Sequence, residues 1–405
     1  MIFWALGNTR IWSFFAHFTA LIELCFLLTA KLGLMLDYSD MSVRKATARL
    51  NRLRQESGGM KATTYRNTVE REGVAIQEHI EGKCEEIIEK HGFSEAGELK
   101  EKIKFTLEVS QSMPIIAIGT AMTELNIKKA YVSDYENPES AVNISVDDVG
   151  ATRQSETRPR GEKEQPKTVN NSVIHVENNE GKYILNSAKV FGVLKLLLGF
   201  LLSGGLLGKQ LVFFTDGARE IHNEISRIFA FANYKIILDW YHLQKKCKRV
   251  ANMNVVHVQL TPINKQLSLA MKGAKIRNAF LNELLPCLWF GNVDGAITLL
   301  QNINPNKIKE PEYITKLIDY FERVRDYIPC YILRKQLGLR NSSNLGEKSN
   351  DLIVSSRQKD NGTSWSDNGS HAFASVAAIS CNNQLLNWVN SRSINFDWVR
   401  FDQAV

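Results

Sequence analysis

The sequence predicts an α/β protein whose sheet-forming core is preceded by an all-α region and interrupted by a long all-helical insertion. Residues 1–135 show only helical periodicity, whereas short strand-like apolar runs alternate with helices over 136–242. Helical, basic sequence occupies 243–340, and 341–405 supplies the last helices of the core. With 405 residues, 44% of them hydrophobic, the chain can bury a sizeable core. This composition excludes a wholly disordered or fibrous protein.

Cysteine and charge distribution restrict the class of protein further. The six cysteines are scattered without a C-x-x-C pair, which supports neither a zinc ribbon nor a disulfide scaffold and indicates reduced thiols in a cytosolic protein. The formal charge is +7, but residues 243–346 alone hold sixteen Lys or Arg against seven acids. Such a basic region is typical either of a solvated helical face or of a nucleic-acid-binding groove.

The apolar stretch from Ile11 to Leu36 raises the alternatives of a membrane span and a signal sequence. Glu23 and Lys31 interrupt it, and each charge at the centre of a membrane helix costs about 2.5–3.5 kcal/mol. A small-residue cleavage site behind a charged segment is not evident either. We therefore predict a buried helix of a soluble protein over Thr19 to Leu36, with a membrane helix as the alternative.

Two helices around a glycine turn are predicted next. Ser42 to Leu53 is helical and basic, Gly58-Gly59 interrupts the pattern, and Thr63-Thr64 can cap a second helix. This arrangement is typical either of a helix-turn-helix that contacts DNA or of an ordinary helical hairpin.

From about Ala141 the apolar spacing changes to the period of a strand. A polar stretch from Arg153 to Lys167 predicts a mobile loop, and helices are predicted again from Glu347 to Arg357 and from about Ser370 to Val389. The order between them is β-β-β-α-β-α-β, which is that of an RNase H-like domain. Its elements are strands Val142–Val146, Val173–Val176 and Tyr183–Leu185, helix Ala188–Leu202, strand Leu211–Phe214, helix Ala218–Phe231 and strand Lys235–Leu238.

Three carboxylates are placed to meet in such a domain. Its first and fourth strands are neighbours, which brings Asp147 beside Asp216, and a late helix beginning at Glu347 can add a third. Clustered carboxylates repel one another unless cations neutralise them, and hard oxygen ligands suit Mg²⁺ or Mn²⁺. Taken singly, each of these acids is also typical of a strand-end turn or of the first turn of a helix.

The sequence around these acids resembles a known family. The segments FFTDGAREI (Phe213–Ile221), ILDWYHL (Ile237–Leu243) and SWSDNG (Ser364–Gly369) are similar to those of DDE-type transposases of bacterial insertion sequences. The nearest group is the Mutator-like clan with an all-helical insertion before the final Glu, among them the ISKra-type enzymes. The resemblance extends from about Phe18 to Trp388.

The resemblance implies a catalytic triad of Asp147, Asp216 and Glu347 that holds two Mg²⁺ or Mn²⁺ ions. Asp148 is the rival for the first position, because successive strand residues point to opposite faces and only one of the two can face the metals. The C/D-x-x-H signature of the family matches Asp239 and His242, which together with Trp240 are expected to support the site.

The resemblance also implies that the protein binds double-stranded DNA, both element ends and target. It implies a homodimer or higher assembly, no membrane association, and a location in the bacterial cytoplasm on the nucleoid. Two alternatives remain open: a truncated, catalytically inactive DNA-binding relative, and a structure-specific nuclease with the same core. The residues expected to contact DNA are Lys245, Lys246, Lys248, Arg249, Arg357, Lys359 and Trp365.

Overall fold

The structure is a computed structural model, and two sequence predictions fall outside the residues that it describes. These are the Thr19 to Leu36 helix and, apart from its ends, the Arg153 to Lys167 loop. No helix in the described ranges is long and apolar enough to cross a membrane. The described residues are 43–54, 59–94, 112–126, 135–154, 167–253, 269–303, 310–359 and 363–401.

The described part of the chain is a mixed α/β structure built on one six-stranded sheet of order β5-β4-β1-β2-β3-β6. Strands β1, β2 and β3 form an antiparallel meander, whereas β4 and β5 run parallel to β1. The predicted neighbourhood of the first and fourth strands is therefore confirmed. The strands are β1 (Val142–Thr152), β2 (Thr168–Glu177), β3 (Gly181–Ser187), β4 (Leu211–Thr215), β5 (Tyr234–Leu238) and β6 (Val399–Arg400).

The first strand is longer than predicted. It continues past Val146 to Thr152, and its pairing with β2 is unbroken down to Thr152 opposite Thr168. The two acids at 147 and 148 suggested a strand end, but Val149 and Ala151 beyond them are buried and remain paired with β2. Asp147 therefore lies within a paired strand rather than at its end.

The sheet separates two hydrophobic clusters. Leu211 and Phe213 of β4 face one of them, while Val212 and Phe214 face the other, as the two-residue period of a strand requires. The first cluster contains the N-terminal helices α1 (Val43–Arg54) and α2 (Ala62–Lys90), together with α4 (Val190–Ser203), α5 (Arg219–Ile228), α13 (Asp367–Cys381) and α14 (Leu385–Ser391).

The second cluster belongs to the basic insertion, whose described residues are helical as predicted. Its helices pack on the β4–β5 end of the sheet through Leu243, Leu284 and Phe321. They are α6 (Trp240–Met253), α7 (Leu269–Trp289), α8 (Val293–Gln301) and α9 (Pro311–Val324); α10 (Tyr331–Gln336) follows and, with α3 (Ile115–Glu124), forms a small third cluster.

The N-terminal hairpin packs into the core. Gly73 of α2 lies so close to α13 that a Cβ there would be 2.2 Å from the carbonyl oxygen of Ala372. At the turn, the Asn51 side chain donates to the Met60 carbonyl at 3.0 Å and accepts from the Met60 N–H at 2.9 Å. The sequence left two alternatives for this hairpin, a DNA-contacting helix-turn-helix and an ordinary helical hairpin. The buried face of α2 is typical of the second.

The C-terminal helices differ from the prediction in detail. The helix expected over Glu347 to Arg357 begins earlier, as α11 (Asn344–Asn350), and passes through a π turn (Asp351–Ser355) into α12 (Ser356–Gln358). The helix expected over Ser370 to Val389 is two helices, because Asn383 adopts a left-handed conformation with φ of 56° between α13 and α14.

Candidate active site

The first two predicted carboxylates belong to neighbouring strands. The parallel register pairs Ser145 of β1 with Phe214 of β4, two residues before each acid, and Asp216 is close enough to raise the Asp147 pKa. One carboxylate oxygen of Asp147 accepts from the Asn350 side chain at 2.7 Å, and the other accepts from the backbone N–H of Asp148 at 2.9 Å. Asp147 therefore faces α11, the helix that carries Glu347.

The carboxyl group of Asp147 has a raised pKa. Burial raises its pKa to about 6; His242 acts in the opposite direction, and the neighbouring Asp216 adds to the rise. Partial burial also raises the pKa of Asp148, whose carboxylate accepts from the Ser172 hydroxyl of β2 at 2.5 Å. Of the two candidates for the first position, the contacts with α11 favour Asp147.

Helix α11, which carries Glu347, lies tightly against β1. A Cβ at Gly346 would be only 2.6 Å from the Cβ of Ser145, so glycine is what permits this approach. The Glu347 carboxylate lies 3.3 Å from the Nε2 atom of His242, which is also the side chain that acts on the Asp147 pKa. The three carboxylates and His242 thus come from β1, the end of β4, α11 and α6.

Asp239 holds two of these elements in place. It is 1% exposed, and its Oδ1 accepts from the backbone N–H groups of Tyr241 at 2.7 Å and His242 at 3.1 Å, which caps α6. Its Oδ2 accepts from both the backbone N–H and the hydroxyl of Ser343, just before α11. Asp239 is therefore a positioning residue that ties His242 to the start of the Glu347 helix.

A buried polar contact supports α11 from the sheet side. The Nδ1 atom of His175 on β2 lies 2.8 Å from the hydroxyl of Ser349, and Nε2 lies 3.4 Å from Glu177. Burial, with Arg340 and Lys182 nearby, lowers the pKa of His175 to about 4. The imidazole is consequently neutral at pH 7 and orients α11 without adding charge.

The two aromatic residues after Asp239 have different surroundings. Trp240 packs in the insertion core, with its ring centre 4.7 Å from that of Trp289 and 5.0 Å from that of Tyr331. Tyr241 is 45% exposed, and Lys245 Nζ lies 5.6 Å from its ring centre. Trp240 therefore supports the site through packing, and Tyr241 is the ring that solvent or a ligand can reach.

The residues predicted to contact DNA fall into four groups. Lys245, Lys248 and Arg249 line an open groove of about 450 Å³ along α6, together with Tyr241, whereas Lys246 lines a different cavity beside Asp216. Lys359 is exposed.

Arg357 and Trp365 are placed differently from the prediction. They are 6% and 8% exposed, and the Arg357 guanidinium carbon lies 5.5 Å from the Trp365 ring centre, over the core ring of Phe373. DNA cannot reach side chains buried in this way. The prediction of a DNA contact is corrected for these two residues, which stabilise the packing of the C-terminal helices.

Sequence reasoning missed three residues that build the site: Ser343, Gly346 and Asn350. Asn350 follows Glu347 by three positions and so shares its helix face, a spacing that would have indicated a common partner. Gly346 and Ser343 had no comparable signal, because the close approach to Ser145 and the bond to Asp239 are tertiary contacts.

A comparison of the chain with protein-family models, curated proteins and solved structures finds no match. Within the described ranges, no group of three or more His, Cys, Asp or Glu side chains is arranged to hold a metal ion. The Glu347 carboxylate is engaged with His242, which leaves Asp147 and Asp216 as the adjacent oxygen donors. The chemistry of these donors suits a hard divalent cation.

Proposed function

We propose that this chain is a DNA transposase that cleaves and transfers DNA strands with an RNase H-like core. The observation that carries the proposal is that three acids 69 and 131 residues apart in the sequence are linked through shared neighbours: Asp216 and His242 both act on the Asp147 pKa, and His242 lies 3.3 Å from Glu347. A fold that brings distant acids together at a buried edge, and raises the pKa of one of them, is typical of a catalytic site.

The sheet topology supports the RNase H-like assignment of the core. Strands β1 to β3 form an antiparallel meander, and β4 and β5 add in parallel on the opposite side of β1. This is the arrangement in which the first and fourth strands carry the first two acids of the triad. The long helical insertion between Asp216 and Glu347 agrees with the same family pattern.

In this proposal Asp147, Asp216 and Glu347 would hold Mg²⁺ or Mn²⁺. Two such ions would supply activation of the attacking oxygen and stabilisation of the leaving oxygen at phosphorus. Asn350 orients the Asp147 carboxylate, and Asp239 fixes the distance between α6 and α11. His242 contacts the Glu347 carboxylate and limits its orientation.

The groove of α6 is proposed to bind the DNA backbone. Lys245, Lys248 and Arg249 follow His242 on the same helix, so a phosphate chain along the groove passes the carboxylates. Tyr241 offers an exposed ring for base stacking. Recombination of two element ends implies a homodimer or higher assembly on bacterial nucleoid DNA. Affinity for duplex DNA should fall steeply with salt, because counterions are released.

The proposal is tested by incubating the protein with Mn²⁺ and a plasmid that carries the DNA flanking its gene. Wild type should nick this plasmid and transfer the ends, whereas Asp147→Asn, Asp216→Asn and Glu347→Gln should each lose at least about a hundredfold in rate. Glu89→Gln, an exposed acid at the end of α2, is the matched control and should act like wild type.

Other outcomes identify the alternatives. Duplex binding without metal-dependent nicking would identify a catalytically inactive relative. Nicking of branched DNA without strand transfer would identify a structure-specific nuclease. Nicking that survives all three carboxylate substitutions would overturn the catalytic assignment.

A further inference from the structure

A second cavity adjoins the carboxylates on the side of the insertion. It has a volume of about 410 Å³ and lies between the loop after β4 and helices α6 and α9. Its lining residues are Asp216, Gly217, Ala218, Arg219, Lys246, Lys316, Asp319, Tyr320 and Arg323. We call it the Asp216 pocket.

The Asp216 pocket carries an excess of positive charge. Two lysines and two arginines line it, against the two acids Asp216 and Asp319. One Asp216 oxygen accepts from the Ala218 N–H at 2.8 Å, which ties this oxygen to its own loop. The net charge of the lining favours an anion.

Two of the four cations, Lys246 and Arg323, are held around a single ring. Lys246 Nζ lies 3.9 Å from the ring centre of Tyr320, and the Arg323 guanidinium carbon lies 5.2 Å from the same centre. Tyr320 is buried, and its hydroxyl lies 3.4 Å from the Asp216 carbonyl oxygen. Two like charges beside one ring repel each other, and an anion bound between them would relieve that repulsion.

The loop that forms the pocket wall is also fixed. Arg323 donates to the Gly217 carbonyl at 3.0 Å, and Gly217 adopts a φ of 86° that favours glycine. A Cβ at this position would be 2.9 Å from the Tyr320 hydroxyl. The insertion thus contacts the backbone directly after a proposed catalytic acid, while Lys246 and Lys316 line the cavity; Lys316 also lies 3.5 Å from the exposed carboxylate of Glu312.

We propose that the Asp216 pocket binds a phosphate group of the DNA strand, next to the bond that is cleaved at the carboxylates. The inference rests on the proposed function for the identity of the strand, but the pocket's preference for phosphate rests on its own residues. In this role Lys246 and Lys316 contact the phosphate, and Arg323 positions the loop.

The test uses inorganic pyrophosphate as a probe, titrated into the full chain by calorimetry without metal. We expect wild type to bind it and the double variant Lys246→Gln/Lys316→Gln to bind at least tenfold more weakly. Lys90→Gln, on an exposed lysine outside the pocket, is the control and should bind as wild type does. Arg323 is left unchanged because it also supports the loop.

A second measurement uses a short duplex at several salt concentrations. The double variant should lose about two of the phosphate contacts that set the slope of affinity against salt. If wild type does not bind pyrophosphate, or if the double variant binds it equally well, the proposal that the Asp216 pocket binds phosphate is overturned. Pyrophosphate binding that depends on the two lysines, with no duplex binding, would instead assign the pocket to a free phosphate compound and count against the proposed transposase.

Discussion

The Nε2 atom of His242 lies 3.3 Å from the Oε1 atom of Glu347, across the junction between the insertion and the last core helices. His242 is in the first turn of α6 and Glu347 is in the first turn of α11, and Asp239 contacts the start of both helices. The contact between the two side chains therefore depends on a buried carboxylate that is outside the proposed triad. The orientation of the Glu347 side chain therefore depends on the insertion, through His242, as well as on the sheet.

His242 is expected to position Glu347. Replacement by Ala should lower Mn²⁺-dependent nicking about tenfold to a hundredfold, because residues that orient a metal ligand contribute on that scale. His242→Gln keeps a donor near Glu347 and should retain more activity than His242→Ala. Nicking rates measured over a range of Mn²⁺ concentrations check this, since a positioning role predicts partial rescue at high metal. Equal loss in both variants without rescue would contradict it.

Asp239 is expected to contribute strongly to stability. Asp239→Ala leaves the buried Ser343 N–H and the first amides of α6 without their acceptor, and should lower the free energy of unfolding by about 2–4 kcal/mol. Urea denaturation measures this. Asp294→Ala removes an exposed acid that pairs with Arg325 and should cost less than about 1 kcal/mol. A similar loss of unfolding free energy in both variants would refute the role of Asp239 in joining α6 to the start of α11.

The glycine before Glu347 is expected to be irreplaceable while Ser145 keeps its side chain. Gly346→Ala places a Cβ 2.6 Å from that of Ser145, which should push α11 off β1, cost about 1–3 kcal/mol and reduce nicking. The double variant Gly346→Ala/Ser145→Gly removes the clash and should recover part of the activity. Assays of the single and double variants side by side measure the recovery. An active Gly346→Ala single variant would show that the close approach is not needed.

The alternation of apolar residues was sufficient to predict the order of strands and helices from β1 to β5. The central strand β4 was recognisable instead as a continuous apolar run, because Phe213 and Phe214 are buried on opposite sides of the sheet. The alternation failed at the end of β1, where two adjacent acids interrupt the apolar pattern without interrupting the backbone ladder. Strand β6 consists of Val399 and Arg400 alone, too short for any period to be visible.

The site was predictable only in part for a related reason. Asp147, Asp216 and Glu347 are recognisable from motifs, and the strand order brings the first two together. Buried partners such as Asp239 with Ser343 are set by how α6 meets α11, which no local pattern records. The burial of Arg357 beneath the C-terminal helices was equally invisible, because a basic residue reads as exposed from sequence alone.

Buried His175 is expected to make stability depend on pH. Its pKa is lowered from 6.5 to about 4, so the unfolded chain binds a proton more readily than the folded protein between these values. The stability that this group contributes is complete above pH 6.5 and is lost as the pH falls toward 4. From pH 7 to pH 5 the wild type should lose about 2 kcal/mol more than His175→Gln does.

Urea denaturation of both proteins at pH 5, 6 and 7 measures that difference. Comparing how the free energy of unfolding changes with pH in each protein removes the packing cost of the substitution itself. Titrating groups that do not contact His175, among them Asp147 with its raised pKa, contribute equally to both proteins and cancel. His91→Gln, which changes an exposed histidine, should follow the wild-type slope. Parallel curves for wild type and His175→Gln would mean that His175 can be protonated without breaking its contact with Ser349, and the neutral support of α11 would be refuted.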